Sequence, residues 1–217
     1  MKKLNIIVTG GNGFIGRHLV RRLAGLGHKV TALDNFSASQ KNGLPKGVKL
    51  INFDITRPAL AGVLSKVKPQ IVYHLAADNR VTGSVQSILK SNVIGTFNVL
   101  EASRLAKIKQ FIFTSSAAVY GESKQLPIKE SWPTRPISAY GLSKLTDELY
   151  CHLFEKHFLA TIFRFANVYG PGQNSSAEGG VVAIFVRRIL DNQPVTVYGS
   201  GRQTRDFVFV GDVVDAL

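Results

Sequence analysis

Two side chains in the middle of the chain, Tyr140 and Lys144, have the types and the spacing of a proton-transfer pair. Leucines around them recur at helical spacing, at positions 142, 145, 149 and 153, and residues four apart are neighbours on one face of a helix. A tyrosine has a pKa of about 10, so acting as a base near neutrality requires roughly 4 kcal/mol of extra stabilisation of the phenolate. A neighbouring ammonium supplies part of this stabilisation. The pair therefore predicts a general base with an activating cation.

The same spacing also occurs in ordinary surface pairs. The choice between a catalytic pair and a surface pair therefore depends on the elements that position the two side chains. A β-strand predicted at residues 111–114 ends in Ser115 and Ser116, and a proline-containing loop leads from there to the helix. Ser116 therefore offers a hydroxyl at a strand end, ahead of Tyr140 and Lys144.

The N-terminal part of the chain has the pattern of a dinucleotide-binding unit. An apolar strand at residues 4–9 is followed by glycines at 10, 13 and 16, a helix to about residue 26 and a second strand that ends at Asp34. Such glycines allow a tight turn close to a pyrophosphate, which binds at the helix N-terminus. Asp34 is placed to accept hydrogen bonds from the adenosine ribose and would repel a 2′-phosphate. The pattern predicts NAD binding in preference to NADP; a purely structural glycine turn is the alternative.

Strands and helices continue to alternate along the chain. Further strands are predicted at residues 48–53, 70–75, 160–165, 195–198 and 207–210, helices around 92–106, 138–157 and 181–190, a polar loop at 35–47 and the start of a helix at 211–217. The small residues Ala76 and Ala77 leave room for a cofactor at a strand end. His74 is interpreted as a packing residue rather than a metal ligand. The alternation predicts an α/β fold, a Rossmann-like doubly wound parallel sheet with helices on both faces.

The amino-acid composition limits the classes of protein to which this chain can belong. The 217 residues are 45% hydrophobic and 19% charged, with a net charge of +13 and one cysteine, Cys151. This describes a globular protein whose cysteine is a small core residue, in a reducing, cytoplasmic setting. The basic residues are scattered, so we expect a solvated surface and some attraction for an anionic substrate rather than a nucleic-acid site. No signal peptide, membrane span or metal site is predicted.

Taken in order, the motifs of this chain resemble those of the extended short-chain dehydrogenase/reductase family, which contains the NAD-dependent sugar-nucleotide epimerases and dehydratases. The residues that carry the resemblance are the glycines at 10, 13 and 16, Asp34-Asn35-Phe36-Ser37, Asp54-Ile55, His74-Leu75-Ala76-Ala77, Ser115-Ser116-Ala117-Ala118-Val119-Tyr120-Gly121, Tyr140 with Lys144, the stretch Arg164 to Gly172, and Arg205-Asp206-Phe207. They occur in family order along the whole chain.

The resemblance implies a role for each site residue. Tyr140 would be the general base for a sugar hydroxyl, Lys144 would hold the nicotinamide ribose and lower the pKa of Tyr140, and Ser116 would bind the reacting oxygen. Substrate would also contact Asn167, Tyr198 and Arg205. Besides Tyr140 and Lys144, the implied NAD-binding residues are Gly10, Gly13, Phe14, Ile15, Gly16, Asp34, Asn35, Phe36, Ser37, Asp54, Ile55, Leu75, Ala76, Ala77, Asn92 and Ser115.

The residues after Ser116 narrow the implied reaction. Dehydratases of this family carry an Asp-Glu pair there, and some decarboxylases a Glu, whereas this chain has Ala117 and Ala118. The chain therefore most resembles the UDP-glucose 4-epimerase branch, which implies epimerisation at C4 of a UDP-hexose through a keto-sugar. Another nucleotide-sugar reductase or dehydrogenase, and an NAD-binding module without turnover, are the alternatives.

The resemblance also implies an organisation and a partner. Residues 1–166 would form the NAD-binding domain, and residues 167–217 part of a substrate-binding region that continues further in family members. A homodimer is expected through the helices around residues 92–106 and 138–157.

Overall fold

The computed structural model describes residues 2–38, 43–79, 84–123, 125–176 and 180–217. Its centre is one parallel sheet of six strands in the order β3-β2-β1-β4-β5-β6. The strands are β1 Asn5–Thr9, β2 Lys29–Asp34, β3 Lys49–Asn52, β4 Ile71–His74, β5 Gln110–Ser116 and β6 Leu159–Phe165. All six were predicted from the sequence, with ends that differ by at most a few residues. Part of the predicted loop at 35–47, residues 39–42, lies outside the described residues.

The helices that connect these strands lie on both faces of the sheet. They are α1 Phe14–Gly25, α2 Leu60–Val67, α3 Val85–Ile88, a π-helical segment Leu89–Ile94, α4 Gly95–Leu105, a 3-10 turn Ala117–Tyr120, α5 Ala139–Phe154, α6 Val181–Leu190 and α7 Val210–Ala216. This is the doubly wound arrangement that the alternation predicted.

Two hydrophobic cores follow from the alternation of side chains along each strand. One face packs Ile7, Val72 and Phe111 with leucines of α2 and α4. The other face packs Ile6, Val8 and Ile112 with residues of α1 and with Val214 of α7. Central strands that are buried on both faces need apolar residues at consecutive positions, as in the run Ile6-Ile7-Val8.

The C-terminal part adds a small sheet and corrects one prediction. β7 Asn167–Tyr169 pairs in parallel with β8 Phe207–Phe209. The strand predicted at residues 195–198 is wrong, because these residues are irregular in the structure. They are exposed and belong to neither sheet, and β-branched residues form a strand only where a neighbouring strand and a packed face are available.

The order of the strands places a crevice between β1 and β4. The chain leaves β1 toward β2 and later returns to β4 on the other side of β1. In sheets of this kind, ligands bind beyond the carboxyl ends of the strands at such a switch point. Among the described residues, no helix is both long and apolar enough to cross a membrane.

Candidate functional site

The first turn of α5 holds Tyr140 in a fixed position. The hydroxyl of Ser138, the residue before the helix, accepts a hydrogen bond of 3.0 Å from the backbone N–H of Gly141. This cap satisfies one of the N–H groups that a helix start leaves without a partner. Tyr140 is the second residue of the helix, and Lys144 lies one turn further on, as the sequence predicted.

Lys144 is buried and points toward the end of β5. Its side chain is 3% exposed, and its ammonium donates a hydrogen bond of 2.9 Å to the carbonyl oxygen of Thr114. The ammonium lies 4.7 Å from the centre of the Phe113 ring and 5.9 Å from the centre of the Tyr140 ring. Burial lowers the pKa of Lys144, and the negative charge of Asp147 opposes this shift. The two predicted catalytic side chains therefore share one side of the helix.

Ser116, the last residue of β5, completes the group that the sequence predicted. Its hydroxyl accepts a hydrogen bond of 3.1 Å from the backbone N–H of Ala118, and it also interacts with the phenol of Tyr140, which lowers the pKa of that group. The structure thus brings a hydroxyl, a phenol and an ammonium together at the carboxyl end of β5.

The pKa of Tyr140 departs from the sequence prediction. We expected Lys144 to lower it, but burial raises it above its ordinary value of 10.0, and the interaction with Ser116 only partly offsets this increase. Lys144 directs its ammonium to the carbonyl of Thr114 and over the ring of Phe113. In the chain without ligand, Tyr140 is therefore a protonated phenol at neutral pH.

The glycine turn after β1 is packed too tightly for side chains. Gly10 has a φ of +64°, and a Cβ atom there would lie 2.8 Å from the backbone nitrogen of Ala76. A Cβ atom on Gly16 would overlap the carbonyl oxygen of Gly10. The turn therefore brings the N-terminus of α1 next to the end of β4, as a backbone cradle for a pyrophosphate requires. Phe14 and Ile15 follow Gly13 in the first turn of α1.

Asp34 joins the end of β2 to this turn. One of its carboxylate oxygens accepts a hydrogen bond of 2.9 Å from the N–H of Asn12, and the other accepts one of 2.8 Å from the N–H of Phe36. The carboxylate lies where the sequence predicted an acceptor for ribose hydroxyls. Its negative charge beside the turn fits a cofactor without a 2′-phosphate.

A cavity of about 260 Å³ lies next to Asp34, at the end of β3. It is lined by Asn35, Asn52, Phe53, Asp54 and Arg57. Burial raises the pKa of Asp54, but hydrogen bonds from Thr56 and Asn35 outweigh this effect and hold the pKa below its ordinary value of 3.8. Among these residues, Asn35 and Asp54 were predicted to bind the cofactor.

Several other predicted cofactor residues act within the protein. The amide of Asn92 donates to the carbonyl of Asp78 at 3.1 Å and to the hydroxyl of Ser143 at 2.9 Å. Ile55 is buried against Gly95, and the hydroxyl of Ser115 donates to a carboxylate of α5. Their side chains therefore shape the site; direct contact with a cofactor stays a prediction. Leu75 and Ala77 lie at the end of β4, on either side of Ala76, and the N–H of Ser37 donates to Asn35.

The predicted substrate residues lie on the C-terminal part of the chain. Asn167 begins β7, and its amide donates to the carbonyl of Asp206 at 3.0 Å. Tyr198 is 82% exposed, and Arg205 is exposed and donates to the carbonyl of its neighbour Thr204. None of these contacts joins them to Tyr140, so their roles stay predictions.

Sequence reasoning missed an ion pair that supports the site. Glu148 is buried, and its carboxylate accepts hydrogen bonds of 2.9 and 2.6 Å from the guanidinium of Arg164 and one of 2.5 Å from Ser115. Arg164 also donates to the phenol of Tyr120 at 2.7 Å. The available signal was the spacing: Glu148 is four residues after Lys144, hence on the same face of α5.

The chain matches known proteins over nearly its whole length. The model of the NAD dependent epimerase/dehydratase family matches residues 6–217. A putative UDP-glucose 4-epimerase of Methanocaldococcus jannaschii is 41% identical over 217 residues, covering 97% of this chain and 71% of that protein.

Two solved structures are similar as well. The UDP-glucose 4-epimerase of Thermotoga maritima, solved with UDP-glucose, has a TM-score of 0.94 at 39% identity and covers 98% of this chain and 72% of its own. The UDP-glucose 4-epimerase of Thermus thermophilus, solved with NAD, has a TM-score of 0.90 at 37% identity. The match covers 97% of this chain and 72% of the Thermus chain.

Proposed function

Because the chain belongs to the NAD-dependent epimerase/dehydratase family, we propose that it epimerises a UDP-hexose at C4. The family covers dehydratases as well as epimerases, so the choice between them comes from the site. The supporting observation is the group of Ser116, Tyr140 and Lys144, which stands beside a pair of alanines rather than acids.

Each member of this group has one task in the proposed reaction. Ser116 donates a hydrogen bond to the C4 oxygen of the sugar, Tyr140 removes the proton of that hydroxyl, and Lys144 holds the ribose next to the nicotinamide. When bound, NAD⁺ supplies the hydride acceptor at C4 and a positive ring that favours the phenolate. Once the 4-keto sugar has turned over, Tyr140 would return the proton to the C4 oxygen.

The same region argues against loss of water or carbon dioxide. Both reactions require an additional acid or base beside the tyrosine, and the 3-10 turn that follows Ser116 begins with Ala117 and Ala118. Methyl groups do not transfer protons. Oxidation and return of the hydride is therefore the chemistry that these side chains can carry out.

We assign cofactor binding to residues 1–166 and part of the substrate site to residues 167–217. Asp34 selects NAD, Asn167 contacts the sugar, Arg205 pairs with the diphosphate and Tyr198 lines the nucleotide pocket. An Arg guanidinium suits this role because its planar N–H groups match phosphate oxygens.

A homodimer and a cytoplasmic location complete the proposal. Helices α4 and α5 expose Phe97, Leu105, Leu149 and Leu153, and the rings of Phe97 and Tyr150 lie 5.7 Å apart and join the two helices. A contiguous apolar surface of this kind favours a protein interface. The single buried cysteine suits a reducing compartment.

The decisive experiment incubates the chain with NAD⁺ and UDP-glucose and separates the nucleotide sugars by chromatography. We expect UDP-galactose to form without net NADH. UDP-N-acetylglucosamine, tested in parallel, distinguishes the two hexose classes. The Ser116→Ala variant is the matched control, and we expect it to bind NAD⁺ as the wild type does while turnover falls by about 10²-fold or more.

Three results would contradict the proposal. Stoichiometric NADH would indicate a dehydrogenase, a product lighter by one water would indicate a dehydratase, and NAD⁺ binding without any product would indicate a binding module.

A further inference from the structure

Two buried carboxylates stand next to each other on α5 with opposite surroundings. Glu148 is held by Arg164 and Ser115. Asp147 is 0% exposed, yet among the described residues neither of its carboxylate oxygens makes a hydrogen bond of normal geometry. A buried carboxylate with so little hydrogen bonding is costly, so its presence on the face of α5 that carries Tyr140 and Lys144 requires an explanation.

The position of Asp147 relates it to the catalytic pair. Tyr140, Lys144, Asp147 and Cys151 follow one another at intervals of four, three and four residues, which places them along one side of the helix. Lys144 and Asp147 are both buried, so solvent screens their interaction little. The negative charge of Asp147 acts on Lys144 and also on Tyr140.

We propose that Asp147 is a positioning residue of the reaction, the buried counter-charge of Lys144 on the face of α5 that also carries Tyr140. This inference deepens the proposed function and rests on its assignment of Tyr140 and Lys144.

Among the residues that the structure describes, Lys144 is the one cation that acts on Asp147. On α5 the groups that face Asp147 are Lys144, Glu148 and the thiol of Cys151, whose pKa burial raises. Glu148 is neutralised by Arg164 of β6.

From α4, the hydroxyl of Thr96 favours the ionised form of Asp147. Thr96 in turn bonds at 2.9 Å to His74 of β4. Burial lowers the pKa of His74 to about 3, so it is a neutral neighbour.

The charge of Asp147 has two effects on the catalytic pair. It raises the pKa of Lys144, which keeps the buried ammonium protonated, and it raises the pKa of Tyr140, which delays formation of the phenolate. Asp147→Asn removes both effects. The pKa values of Tyr140 and Lys144 should therefore both fall in this variant.

The first measurement requires no cofactor or substrate. The full chain, labelled with ¹³C at the tyrosine Cζ atoms, is titrated by NMR, and the signal of Tyr140 is assigned by its loss in Tyr140→Phe. We expect the titration midpoint of Tyr140 to lie at lower pH in Asp147→Asn than in the wild type. Glu155→Gln is the matched control, because Glu155 is an exposed carboxylate at the end of the same helix, and its midpoint should equal that of the wild type.

The second measurement is the pH profile of kcat and of kcat/KM with UDP-glucose. In Asp147→Asn, the limb above pH 7, where Asp147 is ionised in the wild type, should shift to lower pH by on the order of one unit, since a change of that size corresponds to one charge at close range in a buried site. Asp147→Glu keeps the charge and should keep the positions of both limbs. A purely structural role would lower the height of the profile and leave its limbs in place.

The two measurements separate the inference from the proposed function. If Tyr140 titrates at the same pH in Asp147→Asn and in the wild type, Asp147 does not act on it and the inference is wrong. If the wild type lacks epimerase turnover, the proposed function is wrong, while a lower Tyr140 midpoint in Asp147→Asn still establishes the coupling. Should Asp147→Asn fail to fold, Asp147→Ser, which removes the charge, and Asp147→Glu, which keeps it, are titrated instead; equal Tyr140 midpoints for these two variants would overturn the inference.

Discussion

Helix α5 buries its polar face and exposes its apolar face, which is the reverse of the usual arrangement. The face that carries Ser143, Lys144, Asp147 and Glu148 is buried against the sheet, whereas the face that carries Leu142, Leu149 and Leu153 is exposed by 57 to 67%. Amphipathic helices normally bury the apolar face. The reacting side chains of this helix therefore point into the protein. Its leucines form a surface that a second molecule can cover.

The difference also shows what determines the orientation of the helix. Lys144 bonds to Thr114 of β5, and Glu148 bonds to Ser115 of β5 and to Arg164 of β6. These contacts tie the polar face to the carboxyl ends of two strands. Directional hydrogen bonds to buried charges, rather than burial of leucines, therefore fix this helix on the sheet.

The polar face of α5 should lose its catalytic activity when Tyr140, at its N-terminal end, is replaced. We predict that Tyr140→Phe reduces turnover by at least about 10²–10⁴-fold, the usual contribution of a general acid–base group. NAD⁺ binding, measured by calorimetry, should stay unchanged because the hydroxyl is the only group removed. Activity within tenfold of the wild type would show that another group takes the proton.

The same face should lose stability when its ion pair is broken. Glu148→Gln leaves Arg164 without its anion, and removing one partner of a buried pair costs about 3–5 kcal/mol. For a chain of this size, each kcal/mol lowers Tm by about 2–4 °C, so thermal denaturation followed by circular dichroism should show a loss near 10 °C. The exposed Glu155→Gln should leave Tm unchanged, and a similar Tm for both variants would contradict the role of the pair.

A third prediction concerns the dependence of stability on pH. Burial raises the pKa of Asp147 from 3.8 to about 7, so between these values the folded chain binds a proton that the unfolded chain has released. Stability should therefore fall as pH rises from about 4 to about 7, by on the order of 4 kcal/mol if the whole shift is expressed. Urea titrations at pH 5 and pH 8 measure the part of this loss that lies above pH 5, on the order of 3 kcal/mol.

The matched variant for the pH dependence is Asp147→Asn. It should remove most of the loss, so that the variant is more stable than the wild type at pH 8 but not at pH 5. Equal slopes for the two chains would assign the pH dependence to other groups.

The apolar face should respond in the opposite way, through assembly rather than folding. We predict that Leu149→Asp leaves the stability of the folded chain within about 0.5 kcal/mol, as for exposed positions generally. It should convert a dimer to a monomer in analytical ultracentrifugation. Lys156→Asp, an exposed change just after the same helix, is the control and should leave the assembly intact. A monomeric wild type would mean that this surface has another partner.

Much of the fold followed from sequence because its signals are local. The run Ile6-Ile7-Val8, the glycines after it and Asp34 define one unit within about 30 residues, and hydrophobic runs of this kind are typical of strands buried on both faces. β7 was missed because its partner is 40 residues away in the sequence. Conversely, residues 195–198 have the residue types of a strand but no neighbour.

Only those parts of the site that depend on residue type and helical spacing could be predicted from the sequence. Tyr140, Lys144 and Ser116 come together as expected. The raised pKa of Tyr140 did not follow from the sequence, because it depends on how deeply the phenol is buried and on the nearby charge of Asp147, which only the packing of α5 on the sheet determines. The burial of Asp147 and the pairing of Glu148 with Arg164 were equally inaccessible, since both depend on which side of α5 meets the sheet.

The central position of β1 also has a consequence for synthesis of the chain. β1 pairs with β2 on one edge and with β4 on the other, and β4 ends only at residue 74. While the chain emerges from the ribosome, one edge of this buried strand therefore stays unpaired until its partner has been translated. At about 5–20 residues per second, this interval lasts several seconds, and during it an unpaired edge can associate with other chains. Protection of the nascent N-terminal segment by a chaperone would matter most in that interval.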